Sequence, residues 1–424
     1  GGPFRAYFEP IWCYGQMISP IAAGGKGVDF FRFDQLRLLD MEKLDGPKSA
    51  WKISSSDVFE YLKLAYVTLD ELNDWLFPAK PPRQIAFLYD TAADEVYSVL
   101  KGAQKHAVSD PNITHLSFMM YLFRTGYPFD VHYLHYADYK ALKDYPVIVL
   151  PSALAVAEDR IPILKQLVKN GASLVVIGEY GQLDYDGRPY EKPALLELAG
   201  IKQITSAEFV IDSLTTLGIL AGVDTGNMEF RARRNVIPAP GTVTLGKMGG
   251  DDRGIYHRKL GKGQVIFMPG NFVATSTHPD ALVRPTSRKS KDWDITHGGT
   301  KLMNAVLDHC LGKRKAITRY DRIAPDANAD TELVLLENGP KDKVLFAFNW
   351  EASAKSVIGA GLKLPKGKYR IEEWSMKPTD KTRIEEMKIM PFVLDGKKVF
   401  TAEDLGNLRI ELEPQQIRIL HIEK

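Results

Sequence analysis

Glu9 closes the alternating stretch FRAYFE, and Trp12 and Tyr14 follow it within five residues. A carboxylate at a strand end can serve as a nucleophile or as a general acid/base, and the neighbouring rings offer apolar faces for stacking. Phe31, Phe33 and Asp34 bring two more rings and a second carboxylate around the aromatic run GVDFFRF. Other chemistry-bearing residues are sparser. Cys13 and Cys310 are the only cysteines, nearly 300 residues apart, so neither a disulfide framework nor a cysteine metal cluster is expected. His132 and His135 in VHYLHY are three apart, a spacing that on a strand sends them to opposite faces and argues against a shared metal. The segment DYDGRPY at 184–190 has carboxylates at alternate positions before a glycine but lacks the later bidentate Glu of a calcium loop, and it reads as an Asp-Gly turn. The polar stretch 274–298, with His278, Trp293 and His297, reads as a surface or interface loop. No glycine-rich phosphate loop or dinucleotide fingerprint follows a strand, so no cofactor and no metal are expected.

Composition bounds the partners. The 424 residues carry 55 Lys and Arg against 53 Asp and Glu, a formal net charge of +2, which gives no broad field for nucleic acid or an anionic membrane. The basic clusters RARR and GKRK are short and read as solvated faces. No run of about 18 apolar residues is present, and the first residues lack the charged and apolar regions of a signal peptide. Cysteine usage leaves the compartment open.

The elements that must position these residues fall into three blocks. In residues 1–82, FRAYFE and GVDFFRF read as strands flanking a short helical stretch, GQMISPIAAGGKG. An amphipathic helix follows over SSSDVFEYLKLAYVTLDELNDWLF, with serines and Asp57 as cap candidates and Pro78 as its stop. PAKPPRQ then marks a boundary near 82. In 83–314 the apolar runs IAFLYD, FDVHYLHY, YPVIVLP, ASLVVIGEYG and GQVIFMPGNF alternate with helical patterns, the signature of an open parallel sheet covered on both faces, interrupted by a glycine-rich, β-looking insertion from about 205 to 260. In 315–424 short alternating strands without a long helix predict a β-sandwich.

This order of blocks resembles the C-terminal two thirds of a glycoside hydrolase of the family 42 β-galactosidases. AAGGKGVDFFRF resembles that family's eighth barrel strand and the turn before it. YPVIVLPSALAVAEDRIPILKQLVKNGASLVVIGEYGQLDYDGRPY resembles its trimerisation domain. The resemblance implies an α/β plus all-β chain: the last strands of a (β/α)8 barrel, a glutamine-amidotransferase-like, flavodoxin-like domain and a β-sandwich. It also implies a homotrimer and a glycoside or oligosaccharide substrate. The chain departs from the family where strand eight often carries a Trp-Arg pair, for here Phe33 and Asp34 stand there, and Glu9 lies closer to the glycine turn than usual.

On that resemblance Glu9 is the catalytic nucleophile of a retaining enzyme, and Trp12, Tyr14, Phe31, Phe33 and Asp34 bind substrate. Retention needs a second carboxyl group about 5 to 5.5 Å from the nucleophile. The acid/base would come from the fourth barrel strand, and a barrel takes about 250 residues. An N-terminal polypeptide that completes the barrel is therefore an expected partner. The competing reading is a non-catalytic carbohydrate-binding or assembly subunit. Glutaminase activity is not expected, because the turn after the central strand reads VVIGEYG, with Gly178 and Glu179 where a cysteine nucleophile would stand. Glu179 and Tyr180 are candidates to line a cleft beyond the strand ends, with a solvated loop as the plainer reading.

Overall fold

The computed structural model describes residues 18–25, 55–99, 111–204, 207–233, 236–248, 254–270, 298–319, 331–350, 354–376 and 388–424. Glu9, Trp12, Tyr14, Phe31, Phe33 and Asp34 lie outside the described residues, as do Cys13, His278, Trp293 and His297. The chain divides into two compact units, one of residues 1–82 with 316–424 and one of 83–315.

The first unit begins with a helical turn over 18–22, then α1 (Ser55–Glu71) and α2 (Asn73–Leu76). The long amphipathic pattern is thus two helices, divided at Leu72, whose side chain is fully buried.

The second unit is built on β1 (Ile85–Tyr89), β2 (Phe129–Tyr133), β3 (Val147–Pro151) and β4 (Ser173–Ile177), continued by β5 (Ile201–Gln203), β6 (Ala207–Thr216), β7 (Asn227–Arg233), β8 (Ile237–Pro238), β9 (Thr242–Met248), β10 (Gly254–Leu260) and β11 (Gly263–Met268). Its helices are α3 (Thr91–Val99), α4 (Pro111–Thr125), α5 (Tyr139–Leu142), α6 (Arg160–Lys169), α7 (Ala194–Leu198) and α8 (Gly298–Leu311). The sheet order is β2-β1-β3-β4-β11-β10-β9-β6-β7, with the pairings from β2 through β11 parallel and those from β11 to β7 antiparallel. The expected parallel sheet is therefore mixed. The insertion does not interrupt it but extends it by an antiparallel arm.

β1, β3 and β4 are buried on both faces, their side chains alternating between two cores, while the edge strand β2 is partly exposed. Phe87, Val149 and Ile177 enter one core with Phe118, Leu122 and Val306 of α4 and α8. Leu88, Leu150 and Val176 enter the other with Leu164, Leu167 and Val168 of α6. Those three α6 residues fall on the three-and-four spacing that forms one helix face. Each such side chain contributes roughly 1.5–3 kcal/mol by leaving water.

The remaining strands return to the first unit: β12 (Ile317–Arg319), β13 (Thr331–Glu337), β14 (Asp342–Asn349), β15 (Ser356–Leu362), β16 (Lys368–Met376), β17 (Met390–Pro391), β18 (Val399–Thr401), β19 (Leu408–Leu412) and β20 (Ile417–Glu423), with α9 (Ala402–Leu405). They form a sheet ordered β13-β14-β20-β16-β17, with β18 also on β16, and a second sheet ordered β12-β15-β19. Leu333, Leu345 and Ile422 of the first sheet share a core with Ile317, Ile358 and Ile410 of the second, which is the packing of a β-sandwich. The other face of the larger sheet is also apolar. Phe346, Trp374 and Ile419 pack there against Ile18, Leu62, Ala65 and Trp75, so the helices before residue 82 and the sandwich share one core.

Candidate functional site

The parallel strands run in the order 2-1-3-4-11, and open sheets of this kind bind ligands outside the carboxyl ends of the strands, at the β1/β3 switch point. Asp90 directly follows β1 and is fully buried. Its Oδ1 accepts the backbone N–H of Ala93 at 3.0 Å, its Oδ2 accepts that of Ala155 at 3.3 Å, and His135 Nε2 lies 3.2 Å from Oδ1. His135 Nε2 also lies 3.0 Å from the carbonyl of Ala155, which only accepts, so this nitrogen carries the proton. Asp90 thus ties together the turns after β1, β2 and β3.

A second group sits beside it. His115 of α4 donates Nε2–H to the Pro151 carbonyl at 3.0 Å, and its Nδ1 faces Asp94 Oδ1 at 3.4 Å. Tyr89 donates its hydroxyl to Asp94 Oδ2 at 2.6 Å. Ser152, the first residue after β3, has φ of 52° and a buried hydroxyl that finds no hydrogen-bond partner among the described residues.

At the end of β4, Gly178 takes φ of 75°, the left-handed conformation that a sharp strand-to-loop turn requires. No thiol is available there. Cys310 lies in α8 and is buried, and burial pushes its thiol up to about 12, so it is not poised as a thiolate. These residues lack an amidotransferase nucleophile.

Glu179 corrects the solvated-loop reading, because it is fully buried and accepts Gln182 Nε2–H at 2.6 Å. Tyr180 does line a cleft, of about 630 Å³, with Tyr190, Leu196 and Ile201. No signal in the sequence joins these positions, which come from a loop, a helix and a strand. The DYDGRPY segment is a turn, closed by Asp184 Oδ1 accepting the Arg188 N–H at 2.7 Å, with Gly187 at φ 81°. His132 and His135 are separated: β2 ends at Tyr133, and while His135 joins Asp90, His132 Nε2 lies 3.2 Å from the Tyr145 hydroxyl. Among the described residues no group of three or more His, Cys, Asp or Glu could hold a metal ion, and no helix is long and apolar enough to cross a membrane.

No protein-family model matches the chain, and no curated protein does. Solved structures do match. Gan42B, a GH42 β-galactosidase from G. stearothermophilus, aligns with a TM-score of 0.55 at 14% identity over 87% of this chain and 44% of its own. The β-galactosidase from Bacillus circulans sp. alkalophilus aligns at 0.56 and 16% identity over 86% of this chain and 45% of its own. The α-L-fucosidase isoenzyme 2 from Paenibacillus thiaminolyticus aligns at 0.55 and 13% identity over all of this chain and 58% of its own. The chain therefore has the fold of a part of these glycoside hydrolases, as the sequence resemblance led one to expect, and spans less than half the length of the two β-galactosidases.

Proposed function

We propose that this chain is the C-terminal portion of a retaining glycoside hydrolase of β-galactosidase type. The observation that carries the reading is one of extent. The fold matches GH42 β-galactosidases over 86–87% of this chain but only 44–45% of theirs, so more than half of each of those chains lies outside the match, room enough for a barrel of about 250 residues. Glu9 then attacks the anomeric carbon, forming a glycosyl-enzyme as the leaving oxygen takes a proton from an acid/base Glu on the completing N-terminal portion. The same Glu next deprotonates a water, which releases the sugar with its configuration retained. Trp12 and Phe33 wall the sugar, with Tyr14, Phe31 and Asp34 completing the subsite. The resemblance extends to a homotrimer built through the α/β unit.

Native and denaturing mass spectrometry is the first test, since it reads whether the chain travels with a barrel-completing polypeptide or within a longer one. The completed enzyme is then assayed on nitrophenyl β-galactoside and nitrophenyl α-L-fucoside. Glu9→Gln should lower turnover on the preferred substrate on the order of 10³-fold or more while the fold is kept, as removal of a covalent nucleophile does. Unaltered turnover would remove Glu9 from the mechanism and leave the chain as a carbohydrate-binding or assembly subunit.

A further inference from the structure

We infer that the cleft of the α/β unit is a carbohydrate-binding site that takes a neutral mono- or disaccharide. The inference rests on the glycoside reading only for the choice of sugar to test. The cleft has a volume of about 630 Å³, within the roughly 300–1,000 Å³ of small-molecule sites. Its base is apolar, formed by the buried Leu196 and Ile201 with Pro193 at the edge. Tyr180 and Tyr190 are half-buried and line the cleft, Tyr180 packed against the core of the unit. Tyr190 donates its hydroxyl to the Val156 carbonyl at 3.1 Å, and the Tyr180 N–H donates to Gln182 Oε1 at 3.3 Å. Between them Gly181, at φ 67°, packs against Val156 and holds the loop close to the body of the unit. A ring whose orientation is already set, as the hydroxyl contact sets that of Tyr190, costs little entropy to use in binding.

The rim decides the class of ligand. Lys192 and Lys202 line it with ammonium groups, Glu191 and Glu197 with carboxylates, and Gln203 with an amide, all of them exposed. No ion pair among the described residues engages these four charged heads. Arg258 does not upset the balance, because its guanidinium is held by donation to the Glu197 carbonyl at 2.7 Å. A ligand of either charge would meet a like charge on this rim. A sugar hydroxyl both donates and accepts, so it can donate to a carboxylate and accept from an ammonium at once. The C–H face of a pyranose meanwhile covers a tyrosine ring. An apolar base, two tyrosine rings and an intermixed donor and acceptor rim together describe a neutral polyol with one apolar face.

The test is saturation-transfer NMR on the 424-residue chain with galactose, lactose and galacturonate as probes. The expected result, on a Trp12→Ala background that removes a wall of the subsite proposed around Glu9, is saturable transfer to the ring protons of galactose or lactose with millimolar affinity, weakened about tenfold, which is 1.4 kcal/mol, when Tyr180→Ala is added. Gln203→Ala alters only an exposed residue of β5, and its weakening by a smaller factor guards against a fold defect in the tyrosine variant. The inference is overturned by absence of saturable transfer on that background or by affinity that survives both cleft variants. Galacturonate binding tenfold tighter than galactose would also overturn it. None of these outcomes depends on hydrolysis, so the cleft and the Glu9 mechanism stand or fall separately.

Discussion

Ser152 leaves β3 with φ of 52°, and its backbone is pinned there on both sides: its N–H donates to the Ile177 carbonyl at 2.8 Å and its own carbonyl accepts the Leu154 N–H at 2.8 Å. The left-handed conformation costs a residue with a Cβ roughly 1–2 kcal/mol. The buried hydroxyl, unpartnered among the described residues, adds a desolvation cost of about 1–3 kcal/mol. Ser152→Gly removes both and gives back about 0.5–1 kcal/mol through the greater freedom of the unfolded chain. Some packing is also lost with the Cβ, so the balance is a stabilisation of about 2 kcal/mol. In a unit of 150–250 residues each kcal/mol moves Tm by about 2–4 °C, so the transition of the α/β unit should rise by about 4–8 °C. Ser152→Ala is the control, because it removes the hydroxyl but keeps the strained Cβ, and it should gain less than the glycine variant. Differential scanning calorimetry reads both. A glycine variant no more stable than the parent, or an alanine variant at least as stable as the glycine one, would refute the account.

Two further predictions follow from buried groups in the same unit. Cys310, buried and with its thiol pushed up to about 12, should escape alkylation by iodoacetamide in the native protein at pH 8 and react on denaturation, as peptide mass mapping would read. Labelling of Cys310 in the folded state would contradict its placement. His257 and His309 both bring Nε2 to Gln264 Oε1, at 2.9 and 3.3 Å, and burial lowers the affinity of each for a proton, as it does for His132. The unfolded chain, with imidazoles near about 6.5, therefore takes up protons first as pH falls. These groups contribute stability above about pH 6.5 that is lost below it. Tm should drop between pH 7.5 and 5.5, and less so in His257→Gln; an equal drop in that variant would remove the pair from the account.

Much of the scaffold was legible because its physics is local. VIVLP is apolar throughout and SLVVI at every position after Ser173, a pattern that suits a strand covered on both faces, and both are buried throughout. The antiparallel arm was legible as β structure but not as an extension of the same sheet. β10 joins β11 through the two-residue turn Gly261-Lys262, and the parallel pairing of β11 with β4 that ties the arm to the sheet is a long-range choice their own periodicity does not encode. Glu179 misled for a related reason. A carboxylate after a strand reads as solvated, and its burial depends on Gln182, three residues on, turning back to donate to it. His135 reads as a strand residue until the chain turns at Tyr133, where the Ala137 N–H bonds back to the Tyr133 carbonyl at 2.9 Å and the imidazole turns toward Asp90.

The helices before residue 82 show where such reading stops. Their spacing states that one face is apolar, and it says nothing about which surface covers that face. Read beside barrel-like strands, α1 is a linker helix after the end of the barrel. In the structure Leu62, Ala65 and Trp75 lie instead on the sheet of the sandwich, with Trp75 stacked on His421 at 4.7 Å between ring centroids. That packing bears on the proposed enzyme. The helices α1 and α2 share a hydrophobic core with the sandwich, so their folding does not depend on barrel strands supplied from elsewhere. The completing polypeptide of the proposed enzyme would then supply the rest of the barrel and the acid/base, not the support of these helices. On this reasoning, loss of the N-terminal portion should abolish hydrolysis while leaving the sandwich and its helices folded, which is the separation the mass spectrometric and kinetic tests are able to read.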